Sequence, residues 1–152
     1  MEYDIERIGK LIADIEKYTK ELESYKINDA IGFSDSKTYH ASSMLVFAIL
    51  NRLIDLGSEI LSVENLGAPN TYQDIMPLLA KANIINKEQA DNLNKIIKKR
   101  NTLAHFYEDI NEKELIKTIK DISAVKSFIS TIKKRISSSE NKKENKNAKN
   151  IP

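Results

Sequence analysis

Met44-Leu45-Val46-Phe47-Ala48-Ile49-Leu50-Asn51-Arg52-Leu53-Ile54-Asp55-Leu56 winds apolar side chains around nearly the whole circumference of an α-helix, with Asn51, Arg52 and Asp55 as the polar interruptions. A helix of that composition is stable only when other helices surround it, so the stretch predicts the central helix of a bundle. Asp35 and Ser36, after the Gly32-containing segment Asn28 to Ser36, are both suitable N-caps, and the helix extends to about Asn65. The longest unbroken apolar run, Met44 to Leu50, is far short of the roughly 20 residues that a membrane span requires. No membrane span is expected.

Before this helix, Ile5, Ile8, Leu11, Ile12, Ile15, Tyr18, Leu22 and Tyr25 recur at spacings of three and four, predicting a helix over roughly residues 3 to 25 that packs on one side. After it, Gly67 supplies a stop and Pro69 and Asn70 prevent continuation. Thr71, with Gln73 or Asp74 in the first turn, caps a short helix through Lys81 or Ala82, in which Pro77 implies a kink or a late start. Asn86 caps a fourth helix with Leu93, Ile96 and Ile97 on its apolar face. A fifth begins near Asn111 and carries a long stripe from Leu115 to Ile136. Four glycines and three prolines in 152 residues leave little room for a turn-dense β-protein. The expected fold is all-α, an antiparallel bundle of about five helices over residues 1–136.

Residues 137–152 hold Ser, Glu, Asn and Lys with no large apolar side chain before Ile151, a composition expected to stay disordered. The segment Lys133 to Lys149 has seven Lys or Arg against two Glu; with a net charge of +2 for the chain, the remainder stands at −3. Such a balance gives no global nucleic-acid signature, so any RNA contact has to be argued locally. The chain has no cysteine, which excludes a disulfide framework and thiolate metal sites. Met1-Glu2-Tyr3-Asp4 leads into charged helical sequence without the pattern of a signal peptide, and a cytoplasmic location is expected. No His, Asp and Glu cluster has metal-ligand spacing, and no glycine-rich phosphate loop is present. Neither a metal nor another cofactor is expected.

One segment breaks the apolar pattern. Extending the fourth helix by its own spacing leads from Leu93 and Ile96 or Ile97 to Arg100, then Leu103 or Ala104, then Tyr107. A guanidinium on a packing face is costly unless it is paired or meets a wet interface; the plain alternative is an arginine snorkelling near a helix end. Asn101 lies four residues before His105 and can reach one imidazole nitrogen. Asp55, and Asn51 one turn earlier, are polar intrusions into the apolar central helix, and the Asp55 carboxylate can pair with Arg100 across the bundle. The alternative for Asp55 is an ion pair with Arg52. Lys95, Lys98 and Lys99 either line the approach to Arg100, giving salt-sensitive contacts to an RNA backbone, or form a solvated helix face. His40, near the start of the central helix, reads as a solvated residue.

Arg100-Asn101-Thr102-Leu103-Ala104-His105-Phe106-Tyr107 has the form Arg, four residues, His, one residue, Tyr, and resembles the signature of HepT-like toxins, a branch of the HEPN superfamily of helical ribonucleases. Leu66-Gly67-Ala68-Pro69-Asn70-Thr71-Tyr72-Gln73-Asp74, Leu78-Leu79-Ala80, Ile84-Ile85 and Glu108-Asp109-Ile110 are similar to that family's sequence in the same order. The resemblance covers about Asp55 to Val125, and the Lys-rich tail is not part of it.

The resemblance implies a HEPN-like bundle and a toxin that cleaves RNA, with Arg100 and His105 as the catalytic pair. Cleavage through the 2′-hydroxyl needs a base, an acid and positive charge on the phosphate; histidine and arginine suit those tasks. One motif histidine per chain serves only one of the two proton transfers, so a homodimer with facing motifs is expected. The resemblance also implies an MntA-like nucleotidyltransferase antitoxin that transfers AMP to Tyr107, placing a bulky anion at the phosphate site. The other reading of Tyr107 is a packing tyrosine. The competing functional class is a non-catalytic HEPN-like module that binds a nucleotide or the nucleotidyltransferase, with Arg100 only holding phosphate.

Overall fold

The structure is a computed structural model and describes residues 2–28, 33, 35–105 and 111–149. Seven helical segments follow one another: α1 (Ile5–Ser24), α2 (Ser36–Val63), α3 (Ile75–Lys81), α4 (Lys87–Ile97), α5 (Lys99–Ala104), α6 (Glu112–Asp121) and α7 (Ser123–Ala148). Lys98 and Ile122, the single residues between α4 and α5 and between α6 and α7, keep right-handed helical torsions. The segments therefore form five rods of an all-α antiparallel bundle, as the periodicity predicts.

In α1 the Asp4 carboxylate accepts the Arg7 amide at 2.9 Å, and Ile8, Leu11, Ile12, Ile15 and Leu22 are buried. The stripe is shorter than its sequence suggests: Ile5, in the first turn, is 45% exposed. Ion pairs flank the buried face on both sides. Arg7 pairs with Glu59 at 2.8 Å and Arg52 with Asp14 at 2.9 Å, while Glu16 and Glu23 meet Lys133 and Lys126 of α7.

Helix α2 begins behind Asp35, whose carboxylate accepts the Lys37 amide at 2.9 Å, and it is the central helix. Val46, Ile49, Leu50, Leu53, Leu56 and Ile60 are fully enclosed. Gly57 is required by packing rather than by torsion: a Cβ there would lie 2.5 Å from Ile75 Cγ2, so α3 could not approach so closely. The helix ends at Val63, two residues before the expected end near Asn65. Asn65 takes the left-handed torsion (φ 53°), and the Leu66 and Asn65 amides donate to the Leu61 and Ser62 carbonyls at 3.0 and 3.2 Å. Asn83 ends α3 in the same way.

Pro77 lies in the first turn of α3, which starts late, after a 3-10 turn at Tyr72–Asp74. A proline has no amide to donate to the Gln73 carbonyl four residues before it. Asn94 Nδ2 of α4 donates to that carbonyl instead, at 3.0 Å. Helix α4 opens with a reciprocal cap between Asn86 and Gln89, and Gln89 also reaches Ser127 and Thr131 of α7.

The segment expected to stay disordered, from residue 137, begins within α7. Helix α7 runs on to Ala148, and its residues beyond 140 are exposed helix. Lys and Glu lose little side-chain freedom in a helix, so an end already nucleated by the packed turns from Val125 to Ile132 extends at small cost. Arg135 anchors it, donating to Glu64 Oε1 at 2.9 Å and to the Tyr3 hydroxyl at 3.3 Å. No helix of the described residues is long and apolar enough to cross a membrane.

Glu64 carries a testable consequence. The hydrogen bond from Arg135 holds its carboxyl below the ordinary glutamate range, against an opposing effect of burial. A carboxyl lowered on folding stabilises the native state above its unfolded pKa, and that stabilisation is lost as pH falls through the folded value. Glu64→Gln is expected to lower the urea midpoint at pH 7, and its deficit against the wild type should shrink as pH falls below the ordinary glutamate range.

Candidate functional site

Arg100 stands in the first turn of α5 and is half-buried between α2 and the segment leading into α3. Its Nε donates to Asn51 Oδ1 of α2 at 3.1 Å, and its Nη1 donates to Asn101 Oδ1 at 3.1 Å. The guanidinium carbon lies 5.5 Å from the Phe47 ring centre and 5.1 Å from that of Tyr72. Both distances fall in the range of cation–π attraction. The cation is thus clamped between two aromatic faces and two amide oxygens.

That clamp is electrically neutral. A carboxylate partner would cancel the arginine's charge, whereas amides and ring faces orient it and leave its field for a ligand. An arginine has five N–H donors, and two are engaged among the described residues. The remaining three, on Nη1 and Nη2, form the planar fork that matches a phosphate bidentately.

Asp55 does not support Arg100. It pairs with Arg52 at 3.3 Å, and Arg52 also holds Asp14 of α1. The physical reason is register: Asn51 sits one turn closer to α5, and Asp55 finds a cation three residues before it on its own helix. Asn101 also serves Arg100, through its Oδ1.

His105 is the residue that ends α5 (φ −120°, ψ 39°), with its amide donating to Thr102 O at 3.2 Å and its side chain exposed. The helix expected to reach Tyr107 therefore turns out of helical torsion at His105, and Tyr107 lies outside the described residues. Such a turn takes His105 off the face fixed by α-helical spacing.

The three lysines do not share Arg100's surroundings. Lys99 approaches Glu114 of α6 at 3.9 Å, Lys95 lines a hollow of about 300 Å³ with Lys117 and Asp121, and Lys98 occupies the α4–α5 junction. Lys95 and Lys99 therefore serve the α6 flank, while Arg100 faces α2. His40 is exposed on the second turn of α2, its ring 5.4 Å from that of Tyr39. It is roughly 16 Å along the helix from Asn51.

Phe47 and Tyr72 are the site residues that sequence reasoning missed. Phe47 was submerged in an apolar run, where an aromatic reads as core. Tyr72 lay in a quoted segment, Leu66 to Asp74, but its role depends on a contact 28 residues away in sequence.

A family model described as ribonuclease HepT-like matches residues 8–132. The chain belongs to this family. Its HepT-like sequence is 36% identical over 58 residues to the mRNA nuclease HepT of Shewanella oneidensis, and the match spans 38% of this chain and 44% of that relative. Among solved structures, a tri-AMPylated HEPN toxin of Shewanella oneidensis in complex with an MNT antitoxin is 27% identical, with a TM-score of 0.76 over 88% of this chain and 98% of that one. YutE of Bacillus subtilis, a cytosolic protein of unknown function, shares the fold at 22% identity and a TM-score of 0.80, covering 91% of this chain and 95% of its own. The HepT-like match takes in α2, the Leu66 to Asp74 segment and the Arg100 to Tyr107 motif together.

Proposed function

We propose that this HepT-like chain is the toxin of a toxin–antitoxin pair and cleaves RNA in the cytoplasm without a metal, Arg100 and His105 acting in a homodimer. The observation that carries this reading is the neutral clamp on Arg100: among the described residues, three donors remain on a cation held by Asn51, Asn101, Phe47 and Tyr72. The family match and the curated relative named as an mRNA nuclease favour the same activity.

In this mechanism one His105 takes the proton of the ribose 2′-hydroxyl, whose oxygen attacks the adjacent phosphorus. The bond to the 5′-oxygen breaks as the second subunit's copy of that histidine gives it a proton, leaving a 2′,3′-cyclic phosphate and a 5′-hydroxyl. Arg100 stabilises the extra negative charge on the five-coordinate phosphorus. Lys95, Lys98 and Lys99 then serve as flanking contacts to the RNA backbone, which position without reading sequence.

The test is the chemistry of the products. Purified protein is expected to cut single-stranded RNA in the presence of EDTA, to leave cyclic phosphate ends, and to spare a 2′-O-methyl strand of the same sequence. Cleavage of the methylated strand, or complete inhibition by EDTA that added metal restores, would refute the mechanism.

Regulation follows from the neighbouring motif residue. The proposed partner is an MntA-like nucleotidyltransferase that transfers AMP to Tyr107, as the AMPylated toxin among the similar structures suggests. An adenylate there would bring an anion to the arginine fork and obstruct RNA. Co-expression with such a partner is expected to raise the intact mass by whole AMP units and to silence cleavage. Tyr107→Phe should stay unmodified and active; an adduct that persists in that variant would disprove the assignment.

A further inference from the structure

The charges of α7 beyond the packed core are not mixed around the helix. At about 100° per residue, Lys134, Lys142 and Lys149 fall within roughly 80° of arc, with Lys146 about 40° further round. Glu140 and Glu144 lie on the opposite side. Among the described residues, none of these four lysines enters an ion pair, whereas Lys133, Arg135 and Lys143 are each paired with a glutamate.

The near end of this face is not an isolated helix surface. Tyr3, Glu64, Lys134, Arg135, Ser138 and Lys142 line a groove of about 770 Å³ where α7 crosses the ends of α1 and α2. Its one carboxylate, Glu64, is neutralised by Arg135. The groove therefore offers unpaired ammonium groups and hydroxyls among the described residues, and the lysine face extends it from Lys142 to Lys149, roughly 10 Å along the helix. This segment lies beyond the residues that the family model matches.

We infer that the groove and the lysine face of α7 form a docking surface for the phosphodiester backbone of single-stranded RNA, distinct from the Arg100 site. The inference rests on the reading of this chain as one that acts on RNA. Charge complementarity selects the occupant: the face holds cations and small polar groups without an apolar strip, so it fits a polyanion with no demand on its bases. It would hold the strand away from the scissile bond and lower KM without entering the chemistry.

The test measures binding of a fluorescent 2′-O-methyl RNA to the full chain by anisotropy between 50 and 200 mM salt. Such a strand lacks the nucleophile, so binding is read whether or not the protein cleaves. The variant carries Lys134→Gln, Lys142→Gln, Lys146→Gln and Lys149→Gln, and its control carries Lys10→Gln, Lys17→Gln, Lys20→Gln and Lys37→Gln, with the same charge change elsewhere. At about 0.7 per neutralised phosphate for a single strand, the variant's slope of log K against log salt is expected to be shallower by about 3, with affinity at least tenfold lower at 50 mM. The control should keep the wild-type slope, and on cleavable RNA the variant should raise KM and spare kcat. Equal losses in variant and control, or an unchanged RNA slope with lost binding to phosphatidylserine vesicles, would overturn the proposal. A chain that cuts no RNA yet shows the steep, α7-dependent slope would retain this surface and lose the ribonuclease reading.

Discussion

Arg100→Ala is expected to lower RNA cleavage by at least 100-fold while leaving the helical spectrum and the proposed dimer unchanged. Removing a single preorganised donor from a developing oxyanion typically costs a factor of about 100 to 1,000, and Arg100 presents a fork rather than one donor. The fold should tolerate the change because the guanidinium is half-buried and its partners are a pair of amides and two ring faces, none of which becomes an unpaired charge. Arg100→Lys should recover little of the loss. An ammonium can rest near the rings, but it offers no planar fork to a phosphate.

Asn51 separates this account from a generic role for positive charge. Asn51→Ala removes one tether, and the expected result is a loss of about tenfold, seen mainly in kcat, as the guanidinium loses its register. Asn51→Asp restores an acceptor at the same place and should nevertheless be worse. Its carboxylate would pair with Arg100 and cancel the charge that the phosphate needs. If Asn51→Asp cleaves RNA better than Asn51→Ala, the neutral clamp is not the device that sets the arginine's strength.

The sequence carried the bundle and half of this site. Helix count, the central position of α2 and the late start forced by Pro77 follow from periodicity and from proline's missing amide, which are local facts. Arg100 was conspicuous because it occupies an apolar register, and Asn51 because it interrupts an apolar helix. The choice of Asn51 over Asp55, and the taking of Asn101 by Arg100, turn on the relative height of α2 and α5. Nothing in either segment alone encodes that height. Caps show the same division: Asp35 and Asn86 are recognisable as N-caps, whereas the asparagines at 65 and 83 that end α2 and α3 do so through left-handed torsions that their composition does not distinguish from an ordinary polar position.

Leu53→Ala and Ile5→Ala put that limit in energetic terms. Both residues belong to apolar stripes in the sequence, and a periodicity argument treats them alike. Leu53 is fully enclosed on α2, while Ile5 is 45% exposed at the start of α1. Truncating Leu53 removes buried methyl groups and leaves a cavity that surrounding helices can only partly close, a change that costs about 2–5 kcal/mol. For a domain of this size each kcal/mol shifts Tm by roughly 2–4 °C, so a fall of about 5–20 °C is expected. Ile5→Ala should stay within about 0.5 kcal/mol of the wild type. Thermal unfolding at one fixed protein concentration, which holds any dimer contribution constant, separates the two. Because α2 also carries Phe47 and Asn51, the Leu53→Ala protein should lose RNA cleavage on warming well before its helices melt. A variant that keeps full activity up to its own unfolding temperature would show that the arginine clamp does not depend on how tightly the central helix is packed.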